Sequence, residues 1–236
     1  MSSSEVARLL EDGEISVAGR LVDASNATLF VTVSDGTNEA RAIYKPIAGE
    51  RPLWDFPDGN LASRERAAYL VSEALGVKCI PLTILRDGPF GAGAVQEWID
   101  IDEQVDLELF FRKDEPQLRL VALLDAIINN TDRKIGHLLP RADGKLFVCD
   151  HGVTFHEENK LRTVLWQWAG QNLTQEELER LSRFSLYLES DDALEIQELI
   201  TPREYAALQD RTRFLIEKRT FPEPNPNWPH IPWPPF

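Results

Sequence analysis

The sequence predicts an α+β protein in two lobes, an antiparallel sheet with one packed helix followed by a mostly helical half. Three observations predict it. The first hundred residues carry short β-branched and aromatic runs broken by hairpin signals, with one long helical repeat among them. The following stretch carries apolar positions at helical spacing and two capping boxes. The last sixteen residues hold seven prolines, which no helix tolerates. Residues 1–100, 101–220 and 221–236 are therefore read as sheet lobe, helical lobe and tail.

A short helix is expected over residues 4–11, closed by Asp12-Gly13. Ile15, Val17, Leu21 and Val22 then lead to a polar turn, and Leu29, Phe30, Val31 and Val33 follow it. Asp35-Gly36 is a hairpin signal, and the next strand, 41–46, ends at Pro46. The span 49–60 is a loop rich in proline, aspartate and aromatic residues. A helix follows over 61–75, with Ala62, Arg66, Tyr69, Leu70 and Ala74 at helical spacing and Gly76 as the stop. Two strands, 80–86 and 93–99, flank Asp87-Gly88.

The second half should hold helices at 106–111, 116–129, 163–169, 174–188, 191–199 and 201–218, with a short strand at 145–149. Thr174-Gln-Glu-Glu177 and Thr201-Pro-Arg-Glu204 are capping boxes, the second with proline at the first helical position. The tail should run extended, with Trp228, Trp233 and Phe236 packed across the body; recruitment of a partner is the functional alternative.

Composition narrows the function. The 236 residues carry a formal net charge of −14, which repels nucleic acid and anionic membrane surfaces. Cys79 and Cys149 both sit in apolar runs, as reduced core thiols do. The first residues lack a signal-peptide pattern, and no apolar run reaches membrane-spanning length. The expectation is a cytoplasmic protein without integral membrane association and without a nucleic-acid partner.

The chemistry concentrates in one stretch. An apolar helical run ends in Asn130-Thr131-Asp132-Arg133-Lys134-Ile135-Gly136-His137, and a short strand then delivers Phe147-Val148-Cys149-Asp150-His151-Gly152. One acid beside a hydroxyl nucleophile and a second on Mg²⁺, joined by a hairpin, is how a phosphoryl-transfer site is built. Asp150 suits a hard cation, and Gly152 lets backbone approach closely. Lys45 is the one cation in a strand of small and apolar residues, Ala-Ile-Tyr-Lys-Pro, and Glu65 lies twenty residues on in the next helix.

These residues resemble the catalytic and metal-binding loops of the protein-kinase-like superfamily, in particular its phosphatidylinositol 3-/4-kinase branch, related bacterial toxin kinases, and an actinobacterial family of phosphatidylinositol-kinase-like proteins. The family pattern is an Asp-Arg-His-x-x-Asn loop followed by an Ile-Asp-Asn/His-Gly or Asp-Phe-Gly turn. The resemblance covers roughly residues 15–156. It implies ATP with Mg²⁺ or Mn²⁺, and a hydroxyl acceptor oriented or deprotonated by Asp132. Arg133 and Lys134 would neutralise phosphate charge, Lys45 would hold the α- and β-phosphates, and Glu65 would fix Lys45. Asp150 would bridge phosphates through the metal. Ser25, Asn26 and Thr28 would lie over the phosphates, and Glu97, Trp98 and Ile99 would form the adenine-binding hinge.

His137 departs from the pattern, standing where the family has an asparagine ligand. Imidazole favours softer metals than an amide oxygen does, so either His137 binds Mn²⁺ or another metal, with a preference that fades as the ring protonates near pH 6, or it contacts phosphate, or the second metal site is lost. An active kinase is the leading expectation. A pseudokinase scaffold and a nucleotidyl transferase passing on AMP are the alternatives on the same fold. An acidic segment, His156-Glu-Glu-Asn-Lys160, follows the metal loop, so protein or soluble small-molecule acceptors are favoured over phosphoinositides.

Overall fold

The structure is a computed structural model, and it describes residues 1–21 and 26–236. Helix α1 (Ser3–Asp12) opens it, capped by Ser2, whose side chain accepts from the Glu5 amide while the Glu5 carboxylate returns the bond. Strands β1 (Glu14–Arg20), β2 (Leu29–Ser34) and β3 (Glu39–Pro46) form an antiparallel meander. The alternation of buried and less buried positions in β2 and β3 shows one face turned inward. Asp35 stabilises the second turn by accepting from the Thr37 and Asn38 amides.

Helix α2 (Leu61–Ala74) is capped by Asn60, and β4 (Thr83–Gly88) and β5 (Gly91–Glu97) complete the sheet in the order β1-β2-β3-β5-β4, antiparallel throughout. The β4–β5 hairpin is longer than its sequence suggests. Gly88 pairs with Gly91, so the turn falls at Pro89-Phe90 and not at Asp87-Gly88. Tyr44 lies flat on this ribbon: a Cβ on Gly88 or Gly93 would come within 2.8 Å or 2.7 Å of its ring. The glycines there make room for the tyrosine and do not mark the turn.

The helical half holds α3 (Leu107–Phe110), α4 (Pro116–Ile128), the hairpin β6 (Leu138–Pro140) with β7 (Leu146–Val148), α5 (Gln175–Tyr187), α6 (Leu194–Leu199) and α7 (Pro202–Lys218). Both threonine capping boxes form as the sequence indicates. Two hydrophobic clusters result. The smaller one joins the sheet to α1 through Leu9 and Leu10. The larger is centred on α4, and α2 contributes Ala67, Ala68 and Val71 to it, with Leu75 just beyond its end. Helix α2 thus ties the sheet to the helical lobe, so Glu65 sits at the junction of the two halves.

Residues 163–169 are not the expected helix. Their backbone groups are used elsewhere: the Thr163 amide donates to the His230 carbonyl, the Val164 amide to Arg133, and the Thr163 hydroxyl to Asp125. Long-range pairing with Asp125, Arg133 and the tail overrides local helical propensity. The tail itself runs without helix or strand. Phe221 is buried and Trp228 donates to the Lys160 carbonyl, but Trp233 is 88% exposed, so only part of the expected aromatic packing forms. No helix among the described residues is long and apolar enough to cross a membrane.

Candidate active site

Helix α4 ends where its apolar run ends, at Asn129, which adopts a left-handed conformation with φ of 50°. Its side-chain amide donates to the carbonyls of His156 and Glu158, pinning the loop beyond Gly152. Asn130 is fully buried; it donates to Asp125 and accepts from the Asp132 amide. Thr131 binds the Val153 carbonyl through both its amide and its hydroxyl. With its neighbours spent on these bonds, Asp132 is held facing a cleft.

That cleft has a volume of about 260 Å³ and lies between the sheet and the helical lobe. Asn26, Thr28, Lys45, Glu65, Asp132, His137 and Asp150 all line it. Lys45 projects from β3, opposite Ala94 of β5, and its ammonium bonds to the Glu65 carboxylate and, at 3.0 Å, to Asp150. Asp150 follows β7 in a left-handed conformation, φ 63°, which swings its carboxylate out of line with the strand. Its other oxygen lies 3.6 Å from His137 Nε2. Gly152 is needed for this closeness, because a Cβ there would sit 3.1 Å from that of Leu61 on α2.

The electrostatics divide the labour. Burial alone would pull the Lys45 ammonium down, but Asp150 and Glu65 outweigh it and hold its pKa above the ordinary lysine value. Lys45, working against burial and helped by His137, keeps the Asp150 carboxyl well below the usual range. Burial raises the pKa of Asp132, opposed by the Lys134 ammonium 3.4 Å away. Burial lowers His137 to about 4, partly resisted by Asp150. The imidazole is therefore neutral at pH 6, and the expected protonation there moves down by roughly two pH units. Burial also pushes the Cys149 thiol to about 12, although Cys149 is only half-buried and Cys79 is the fully core thiol.

Several residues singled out from the sequence are placed elsewhere. Arg133 is fully buried and points away from the cleft. Its guanidinium bonds both Asp125 oxygens, the Cys149 carbonyl and His151 Nε2, leaving it no role on a moving phosphate. Glu97, Trp98 and Ile99 do not line the cleft. Glu97 ends β5, Trp98 packs edge-on against Phe30, and Ile99 is buried. Ser25 lies outside the described residues. Asn26 reaches the cleft, but its side-chain oxygen is taken by the Arg51 amide, and the Ala27 amide is taken by Gly49.

Several residues that line the cleft were not singled out as site residues from the sequence, Glu50, Gly136 and Phe236 among them. Glu50 accepts from the Leu61 and Ala62 amides and so caps α2 from outside the helix. Gly136 lies against Phe236, whose ring brings the tail to the cleft. The tail is held there by the Ile135 amide donating to the Pro235 carbonyl. Glu50 stands 11 residues before the helix it caps, too far for a local capping signal, and the sequence placed Phe236 against the body without pointing to the cleft.

The arrangement fits a nucleotide with a divalent cation. Asp150 is ionised and His137 neutral, and their 3.6 Å separation suits two donors on one ion with bonds of roughly 2.1 Å. Among the described residues no third His, Cys, Asp or Glu joins them. Remaining positions would fall to phosphate oxygens and water, the usual manner of Mg²⁺.

The antiparallel sheet and helical lobe, with a lysine, a glutamate and two aspartates lining the cleft between them, have the architecture of a protein-kinase-like fold. The Golgi casein kinase with Mn/ADP bound is similar over 92% of this chain and 76% of its own, with TM-score 0.57 and 12% identity. Hydra Fam20 with sugar is similar over 92% and 88%, with TM-score 0.53 and 14% identity. No protein-family model matches the chain. Protein Rv2133c of Mycobacterium tuberculosis is 40% identical over an alignment of 263 residues, covering 97% of this chain and 94% of that protein. The chain belongs to the same family as Rv2133c.

Proposed function

We propose that this protein is an ATP-dependent phosphotransferase that passes the γ-phosphate to a hydroxyl group of a protein or soluble small molecule. The observation that carries this reading is the single cleft in which Lys45, Glu65 and Asp150 face Asp132. Lys45, fixed by Glu65, would bind the nucleotide phosphates as a positioned point charge. Asp150 and His137 would hold Mg²⁺ or Mn²⁺, which when bound neutralises charge on the β- and γ-phosphates. Asp132 would orient the acceptor hydroxyl and take up its proton, and its raised pKa makes it a better base than an exposed aspartate. Lys134, beside it, would meet the incoming negative charge.

The Mn/ADP bound to the Golgi casein kinase lends support by analogy of fold. The likeness to the phosphatidylinositol 3-/4-kinase branch rests on the two loops alone, and the net charge of −14 disfavours an anionic lipid surface. The same charge argues against a nucleic-acid partner, and the cytoplasm, with its millimolar ATP, is the expected setting.

Incubation of the purified protein with ATP labelled at either the α- or the γ-phosphate, with Mg²⁺ or Mn²⁺, tests this. Transfer of γ-label to the protein or an added acceptor is expected. Transfer of α-label would replace the proposal by nucleotidyl transfer. Nucleotide binding without transfer of either label would make the chain a scaffold.

A further inference from the structure

Behind the cleft, two buried polar atoms face each other without partners. Glu65 is 2% exposed and His151 is fully buried. One Glu65 oxygen is bound by Lys45, while Oε2 has no partner among the described residues. The same holds for His151 Nδ1, which lies 3.9 Å from that oxygen. Unsatisfied buried polar atoms are uncommon and costly, and a complementary pair side by side is more uncommon still.

The tautomer of His151 follows from its other nitrogen. Nε2 sits 2.7 Å from Arg133 Nη2, and a guanidinium only donates, so Nε2 must accept. The proton of the neutral ring is therefore on Nδ1, aimed at the Glu65 carboxylate. The gap exceeds a hydrogen bond of roughly 2.9 Å by about 1 Å. Arg133 is itself locked to Asp125, so His151 cannot retreat. The Glu65 side chain is the member able to move, since its one bound partner, Lys45, belongs to the sheet.

We propose that nucleotide binding closes this gap, and that His151 then donates through Nδ1 to Glu65, making His151 a positioning residue for the Glu65–Lys45 pair. A carboxylate held only by Lys45 can rotate with it; one held also by His151 keeps the ammonium in a single geometry on the phosphates. The chain Asp125–Arg133–His151–Glu65–Lys45 then links the floor of the helical lobe to β3. The inference rests on the phosphotransferase reading of the cleft.

The test uses the full chain with ¹⁵N-labelled histidine, Mg²⁺ and a non-hydrolysable ATP analogue. The Nδ1–H resonance of His151, assigned by its loss in His151→Asn, should move downfield and gain protection from exchange when the analogue binds. Nucleotide affinity by calorimetry provides the second arm. His151→Asn places an amide donor near Nδ1 and should bind within about threefold of the parent, whereas His151→Gln and His151→Phe, lacking that donor, should lose about tenfold, the usual effect of a hydrogen bond to a charged group. Unchanged affinity in the Gln and Phe variants, or an unmoved Nδ1–H signal on binding, would overturn the proposal. Should those variants fail to fold, the resonance in the unsubstituted protein decides alone. Absence of nucleotide binding by that protein would overturn the phosphotransferase reading, and this inference with it.

Discussion

Two ion clusters lie back to back in this protein, built from neighbouring residues of the same two loops. Asp132 and Asp150 face the cleft, where Lys45, Lys134 and His137 meet them with space left over. Arg133 and His151, one position further along each loop, face the interior, where Asp125, Thr163 and the Cys149 carbonyl enclose them. In the inner cluster nearly every donor and acceptor is matched, so its charges hold the loops in place and have nothing left for a ligand. In the outer cluster the charges are aligned but under-coordinated. Matching makes a cluster structural, and incomplete matching leaves it free for chemistry.

The largest effect should come from the outer cluster. Asp132→Asn should lower turnover by about 10²- to 10⁴-fold, as removal of a general base does, with an unchanged unfolding midpoint in urea. A loss of stability instead would place Asp132 with the inner cluster and break the comparison.

Asp125→Ala is the converse experiment. It strands the buried Arg133 guanidinium and should cost about 3–5 kcal/mol of stability, read from denaturant unfolding. A variant as stable as the parent would show that the inner pair is not what holds the 130–137 loop.

Lys45→Met separates the two further. Nucleotide affinity should fall clearly in calorimetry, because the phosphate contact is gone. Stability should fall as well, because the buried Glu65 carboxylate loses the ammonium that binds it, whereas Asp150 keeps access to water. Full nucleotide affinity in this variant would remove Lys45 from the proposed site.

The smallest effect is one of pH. Burial keeps His137 neutral in the fold down to about 4, while the unfolded chain takes up a proton near 6.5. Between these values only the unfolded state is protonated. Stability is therefore fully present above about 6.5 and falls as pH drops toward 4, and buried His151 acts in the same direction. His137→Asn should flatten part of that slope in urea midpoints measured at pH 7 and 4.5. Metal-dependent nucleotide binding should persist at pH 6 and decline near 4. Identical slopes for parent and variant would show that His137 is not the buried neutral group described.

Periodicity and capping determined by themselves most of the elements. The alternation in β2 and β3, the repeat in α2 and the boxes at Thr174 and Thr201 are local signals, and local energetics decide them. Lys45, Glu65, Asp132 and Asp150 were singled out by the resemblance of their segments to kinase-like loops, with phosphate and metal chemistry explaining why such side chains are used there. Direction was another matter. In a loop no period says which of Asp132 and Arg133 looks outward, and tertiary partners settled it: Asp125 captured the arginine. The 163–169 segment gave up its helix for bonds to Arg133, Asp125 and His230, contacts reaching across thirty residues and more. Phe236 arrived at the cleft through the Pro235–Ile135 bond, a hundred residues apart in sequence. Such pairings depend on the folded path of the whole chain, so only the tertiary structure decided them.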